Sequence, residues 1–431
     1  MGSETHLFDF FPPALRCSTG PGKSRMLRSM KTLKLIFKVI LLLFLALAVG
    51  LGLFIGTLWV ENKTPLTLPT PTGDFSVGHT EYDWVDATRP DTLADQPGLP
   101  RELPVWVWYP GEKNATAAPA PYLPLNWVRA RDNDQGAGRL IEHEFTGILT
   151  HSYTGLALST AQAAYPVLVM QPGMGPMASD YTVLAENLAS HGYIVVGINQ
   201  TYTSNIVVFP DGRVMLRSAS GTIPDSDSQA AAQADGNRIM GVWVQDMRFV
   251  LDQLDKLNAD ASSPFYRRLD LAHTGLFGHS FGGAAAFAVC QQDTRCKAGA
   301  NLDGDPFPAE MQGPVHQPFL FFSHAYPQGC KTAPACAPML EMSHLVNPGP
   351  AFFLQVSGTQ HFNFTDLPLR QVGLAQPLFR LAGYSGSIDP GRGLQISNAY
   401  LVAFFDRYLQ GRNNGLLNGP SAGFPEVQFI R

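Results

Sequence analysis

Six residues constrain this chain more than any others: Gly278-His279-Ser280-Phe281-Gly282-Gly283. They follow the apolar run Thr274-Gly275-Leu276-Phe277 and precede the small residues Ala284-Ala285-Ala286. A Gly-x-Ser-x-Gly pattern between a strand and a helix is a nucleophile elbow. The serine must sit on a strained turn, where a side chain at either flanking glycine would strike a neighbouring strand or helix. Such a turn lifts the hydroxyl out at the carboxyl end of a sheet. It also sets the next backbone N–H, that of Phe281, at a helix N-terminus, where developing negative charge is favoured. A chain carrying this element needs a sheet with helices packed around it.

A second feature divides the 431 residues. Residues 39–60 form 22 positions without a charge, preceded by Lys23, Arg25, Arg28, Lys31, Lys34 and Lys38. At 1.5 Å per residue the run spans about 33 Å, the thickness of a hydrocarbon core. The flanking charge bias orients the N-terminus to the cytoplasm and the remainder outside. Two readings compete: an uncleaved signal anchor, and a cleavable signal cut at Ala46-Leu47-Ala48. The run continues well past Ala48, which favours the anchor. Met30 before Lys31 reads as an alternative start, so residues 1–29 are an over-extended gene start or a cytosolic tail.

Charged residues are sparse at 15%, against 45% hydrophobic, with 41 Gly and 34 Pro, which indicates a well-looped scaffold with a sizeable core. Residues 1–60 hold 7 of the 30 basic and 2 of the 35 acidic residues, so the rest carries a net charge of −10. Neither a nucleic-acid partner nor tight docking on anionic lipid fits that balance. Beyond the apolar run the cysteines form two close pairs, Cys290/Cys296 and Cys330/Cys336. Local disulfides are expected there, and the C-x5-C spacing is not a usual zinc pattern. No metal or cofactor is expected, and no obligate protein partner is evident. Asn62, Asn114, Asn199 and Asn363 each begin an N-x-[ST] sequon.

Residues 61–100 read as a stalk and a first hairpin, 101–110 as a strand, and 111–165 as irregular with a short helix near 160–164. From 166 onward strands and helices alternate. Strands are expected at 166–170, 193–198, before the elbow, and at 297–302, 318–322 and 351–356. Helices are expected at 181–190, 238–257, after the elbow, and at 396–409. The alternation predicts an α/β protein with a doubly wound, mostly parallel sheet, which binds ligands at the carboxyl ends of its strands. Five parts are expected along the chain: a basic tail 1–34, a membrane anchor 35–60, a linker 61–73, a catalytic domain 74–411 and a short tail 412–431.

A serine hydroxyl needs a base, and the base an orienting acid, in chain order Ser, acid, His. Asp303 ends the strand after the elbow, with Asp305 as the alternative. Among the later histidines, His361 follows the last parallel strand on a Gly-containing loop, and His324 is its rival. His279 flanks the serine and reads as packing. A second oxyanion donor is expected on the loop Gln171-Pro172-Gly173-Met174-Gly175, at the Met174 N–H.

Together the elbow, Leu302-Asp303 with Phe307-Pro308 after it, and the His361 loop resemble the plasma type (type II) platelet-activating-factor acetylhydrolase family, and more closely its bacterial dienelactone-hydrolase-like members. Further matches are Phe75-Ser76-Val77-Gly78, Arg101-Glu102-Leu103, Leu188-Ala189-Ser190-His191-Gly192 and Phe404-Phe405-Asp406-Arg407-Tyr408-Leu409. The resemblance implies an α/β-hydrolase fold and a metal-independent serine esterase, with Ser280 as nucleophile, Asp303 as acid and His361 as base. Phe281 and Met174 would supply the oxyanion N–H groups. Relatives often carry His-Gly before the second donor, where this chain has Pro172-Gly173. The substrate it implies is a short or oxidised acyl ester of a lipid. A general esterase or a catalytically silent binding module are the alternatives.

Overall fold

The computed structural model describes residues 22–224, 228–307, 313–324 and 337–431. Cys330 and Cys336 lie outside the described residues. The chain divides into two compact units, residues 1–59 and 60–431. Helix α1 (Gly22–Lys63) contains a stretch, Arg28–Lys63, long and apolar enough to cross a membrane.

The second unit is built on strands β1 (Leu66–Thr67), β2 (Ser76–Pro90), β3 (Pro100–Gly111), β4 (Pro119–Pro121), β5 (Ile148–Thr154), β6 (Tyr165–Gln171) and β7 (Ile194–Ile198). A small hairpin follows, β8 (Ile206–Val208) with β9 (Val214–Leu216). The main sheet continues with β10 (Leu269–His279), β11 (Cys296–Leu302), β12 (Phe319–His324), β13 (Ala351–Val356) and β14 (Val427–Phe429). Twelve strands form this sheet in the order β1-β5-β2-β3-β7-β6-β10-β11-β12-β13-β14, with β4 on β5. The run from β7 to β13 is parallel throughout, and β3 and β14 flank it antiparallel.

Its parallel strands are apolar on both faces because both are covered. Along β6, Leu168 and Met170 enter one apolar cluster while Tyr165, Val167 and Val169 enter the other. The first cluster is closed by α2 (Leu125–Gln135), α3 (Thr182–Ser190) and, later in the chain, the helix Pro390–Leu409. The second is closed by α4 (Gln229–Ala259), α5 (Phe281–Gln292) and α6 (Ala337–Leu345). Short helices α7 (Leu367–Arg370) and α8 (Gln376–Leu381) precede that last long helix, α9 (Pro390–Leu409). Cys290 at the end of α5 is disulfide-bonded to Cys296 at the start of β11.

Three segments differ from the sequence reading. Residues 111–165 are not irregular: they hold β4, α2 and β5. Residues 160–164 are bends, because Arg268 draws the carbonyls of Ser159, Gln162 and Ala163 away from any helical ladder. Residues 412–431 include β14, which pairs with β13. Of the four sequons, Asn114 is exposed, whereas Asn62, Asn199 and Asn363 are buried. Asn62 donates to the Arg139 and Glu142 carbonyls, Asn199 accepts from the Ala178 N–H, and Asn363 accepts from the Gln360 and Gly386 N–H groups.

Candidate active site

Strand β10 runs into α5 through Ser280, whose φ of 54° lies in the left-handed region. A non-glycine residue held there costs about 1–3 kcal/mol and persists only where its surroundings enforce it. They do so here. The Ser280 N–H donates to the Leu302 carbonyl at 2.8 Å, and the Gly283 and Ala284 N–H groups donate to the Ser280 carbonyl. A side chain at Gly278 would lie 2.6 Å from the Gln171 carbonyl oxygen, and one at Gly282 would strike the carbonyls of Gln171 and Pro172. The two glycines let β6 and its loop close against the turn.

Next along the sheet, Asp303 directly follows β11, also with positive φ, 58°. Its N–H donates to the Phe322 carbonyl. The carboxylate is buried and accepts from His361 Nδ1 at 2.7 Å. His361 opens a single 3-10 turn, His361–Phe364, after β13 and the Gly358 loop. The other face of its ring, Nε2, lies 2.9 Å from Ser280 Oγ. The structure therefore brings Ser280, His361 and Asp303 into one hydrogen-bonded chain at the carboxyl ends of β10, β11 and β13. Asp305 is exposed in the following loop.

His324 ends β12 and holds the same carboxylate. Its N–H donates to Asp303 Oδ1 at 2.9 Å, and its Nδ1 lies 2.9 Å from both oxygens. Burial alone would raise the Asp303 pKa, but hydrogen bonds from His324 and His361 outweigh it and hold the group well below the usual carboxylate range. Burial would lower His324, and its bond to Asp303 turns the net shift upward. The sequence offered His324 only as a rival base; its place as a second partner of Asp303 depends on the β11–β12 register, which pairs Leu302 with Phe322.

The loop after β6 presses on the elbow: a side chain at Gly173 would lie 3.2 Å from Ser280 Cβ and 3.1 Å from His279 Nδ1. Met174 follows in that loop, and Phe281 is the first residue of α5. Neither N–H is taken by an acceptor among the described residues. The Phe281 ring packs on Trp243 and Phe307 at 4.8 and 4.7 Å between centroids. Among the described residues, no group of three or more His, Cys, Asp or Glu side chains is arranged to hold a metal ion.

His279 is fully buried, and burial, with His361 beside it, pushes its pKa down to about 3. Beyond His361, the segment from Leu374 to Tyr384 turns apolar side chains to solvent: Leu374, Leu378, Leu381 and Tyr384 are exposed, Leu381 at 87%.

A solved ferulic acid esterase from Streptomyces cinnamoneus is 29% identical, with a TM-score of 0.70, covering 85% of this chain and all of that one. That likeness, with the family and the relatives that follow, makes the chain an ester hydrolase. It belongs to the platelet-activating factor acetylhydrolase, isoform II, family, whose family model matches residues 62–210 and 256–419. A probable 1-alkyl-2-acetylglycerophosphocholine esterase of Arthroderma benhamiae is 26% identical over 84% of this chain and 93% of its own length. A platelet-activating factor acetylhydrolase of Cavia porcellus is 22% identical over 80% of this chain and 78% of its own.

Proposed function

We propose that the chain is a serine ester hydrolase with the α/β-hydrolase fold, its doubly wound sheet carrying Ser280 as nucleophile, His361 as base and Asp303 as orienting acid. The observation that carries this reading is the hydrogen-bonded path from Ser280 Oγ through both nitrogens of His361 to Asp303. His361 Nε2 takes the hydroxyl proton as Oγ attacks the ester carbonyl carbon. The Phe281 and Met174 N–H groups hold the resulting oxyanion. Collapse expels the alcohol with the proton returned by His361, leaving an acyl-serine. Water then attacks, giving its proton to His361, and the acid is released as Oγ regains a proton. Asp303, ionised and buried, holds Nδ1–H and stabilises the imidazolium.

The substrate we propose is a short or oxidised acyl ester of a lipid. The names of the relatives and the exposed Leu374, Leu378, Leu381 and Tyr384 beyond the base support it. Helix α1 supports a signal anchor with the hydrolase outside the cytoplasm. The likeness to a ferulic acid esterase favours a second reading, a general esterase on non-phospholipid esters.

The test is acyl release by the full-length protein in detergent, with and without Ser280→Ala. p-Nitrophenyl esters are compared with short-chain and long-chain sn-2 phosphatidylcholines. Ser280→Ala is expected to lower kcat by at least 10³-fold, as loss of a nucleophile does. Serine-dependent preference for short sn-2 chains supports the lipid reading, and turnover of simple esters alone selects the general esterase. Undiminished turnover by Ser280→Ala sinks the mechanism.

A further inference from the structure

The residue beside the nucleophile does more than pack. His279 lies between three parts of the site, and each is joined to it by an atom. The Gly173 N–H donates to Tyr181 Oη at 2.9 Å. Tyr181 Oη is 2.9 Å from His279 Nδ1. His279 Nε2 is 2.8 Å from the His361 backbone carbonyl. Tyr181 and His279 are both 1% exposed, so no water competes for these groups. The His279 and His361 rings lie 4.6 Å apart.

Donors and burial together allow one direction. A backbone carbonyl only accepts, so Nε2 of His279 carries a proton. A backbone N–H only donates, so Tyr181 Oη accepts from Gly173; burial keeps the imidazole neutral, so Nδ1 is bare and receives the Tyr181 hydrogen. The imidazole is thus fixed in one tautomer.

We propose that Tyr181 and His279 are positioning residues, a hydrogen-bonded strut that holds the loop bearing Met174 and the backbone of His361 in register with Ser280. The proposal rests on the catalytic reading given above. One end of the strut sets the loop that presents an oxyanion donor. The other sets the peptide from which the base projects. Its middle is bonded covalently to the nucleophile's own residue. A slack strut leaves substrate binding intact and misplaces both groups that act in the transition state, so the loss falls on kcat.

The test uses the full-length protein in detergent. Tyr181→Phe removes one oxygen and leaves the ring. It is expected to lower kcat for p-nitrophenyl butyrate about 10- to 100-fold, the range for losing one buried hydrogen-bonded partner. KM should stay within about twofold, while affinity for a phenylboronic acid, which forms a tetrahedral serine adduct, falls in parallel with kcat/KM. A residue that merely supports the fold would not separate the boronate from the substrate. His279→Gln retains a donor able to reach the His361 carbonyl, whereas His279→Leu retains only volume. Gln should keep at least about ten times the kcat of Leu. Tyr181→Phe with kcat and boronate affinity within twofold of the parent overturns the proposal. If that variant does not fold, equal turnover by the Gln and Leu variants overturns it instead. Ser280→Ala is run alongside: if it keeps full activity, the catalytic reading fails first and the strut with it. A dead Ser280→Ala beside an unimpaired Tyr181→Phe removes the strut alone.

Discussion

Two imidazoles share the Asp303 carboxylate, and the sharing gives a signed pH dependence. His324 has a folded pKa raised above its ordinary value of about 6.5, burial lowering it and the hydrogen bond to Asp303 more than reversing that. A raised histidine contributes stability that is fully present below the unfolded pKa and is lost as pH climbs through the folded one. Asp303 is depressed, so its contribution is lost only in strong acid and is constant between pH 6 and 9. His324→Gln is therefore expected to cost more unfolding free energy at pH 6 than at pH 9, read by urea denaturation at the two values. A gap that widens with pH would show that no charged His324 stabilises the fold. The three residues nominated for the chemistry were legible because each follows a recognisable strand. His324 and the Tyr181–His279 strut were not: their partners come from other strands and loops, and only the register brings them within hydrogen-bond reach.

Elements were legible where one period dominated. The buried parallel strands β6, β7 and β10 to β13 are short apolar runs, and α4 and α9 repeat apolar residues at helical spacing. Helix α2 was missed because, among its described residues, only Trp127, Val128 and Arg131 are buried, and one of those is charged. Strand β14 is three residues long, and its place is fixed by pairing with β13. Arg101 lies on β3, a strand that was expected, yet its burial was not. The side chain is fully enclosed and donates to Asp91, Asp246, Gln200 and the Thr201 carbonyl, tying β3 to α4. Removing one partner of such a buried set strands the others. Arg101→Met should destabilise the protein by about 3–5 kcal/mol in guanidinium denaturation, because Asp91 and Asp246 lose their shared cation. A loss under about 1 kcal/mol would mean that those carboxylates are satisfied without it.

At the scale of the molecule, the apolar stretch of α1 and the unit from residue 60 onward pose separable questions. Full-length protein is expected to sediment with membranes and to resist carbonate extraction, if α1 spans them. Protein beginning at Val60 should partition to the soluble fraction and hydrolyse p-nitrophenyl esters within about twofold of the full-length rate. The charge bias from which an orientation of α1 is expected is a sequence property, read without any structure. The extent of the hydrolase unit was less legible: the sheet edge at β1 and β5 and the closing β14 use short strands whose pairing partners are remote in sequence.

The burial of Asn62, Asn199 and Asn363 sets folding against modification in any compartment that attaches glycans. The transferring enzyme reads an extended, unfolded segment, and at that stage all four sequons look alike. A sugar on the buried Nδ2 of Asn199 or Asn363 would force that amide out of its place, and Oδ1 would lose the N–H of Ala178 in the first case and of Gly386 in the second. Only Asn114, on an exposed loop, can carry a glycan without competing for an interior contact. For this chain, the choice of production host is thereby a choice between a race for three asparagines and no race at all.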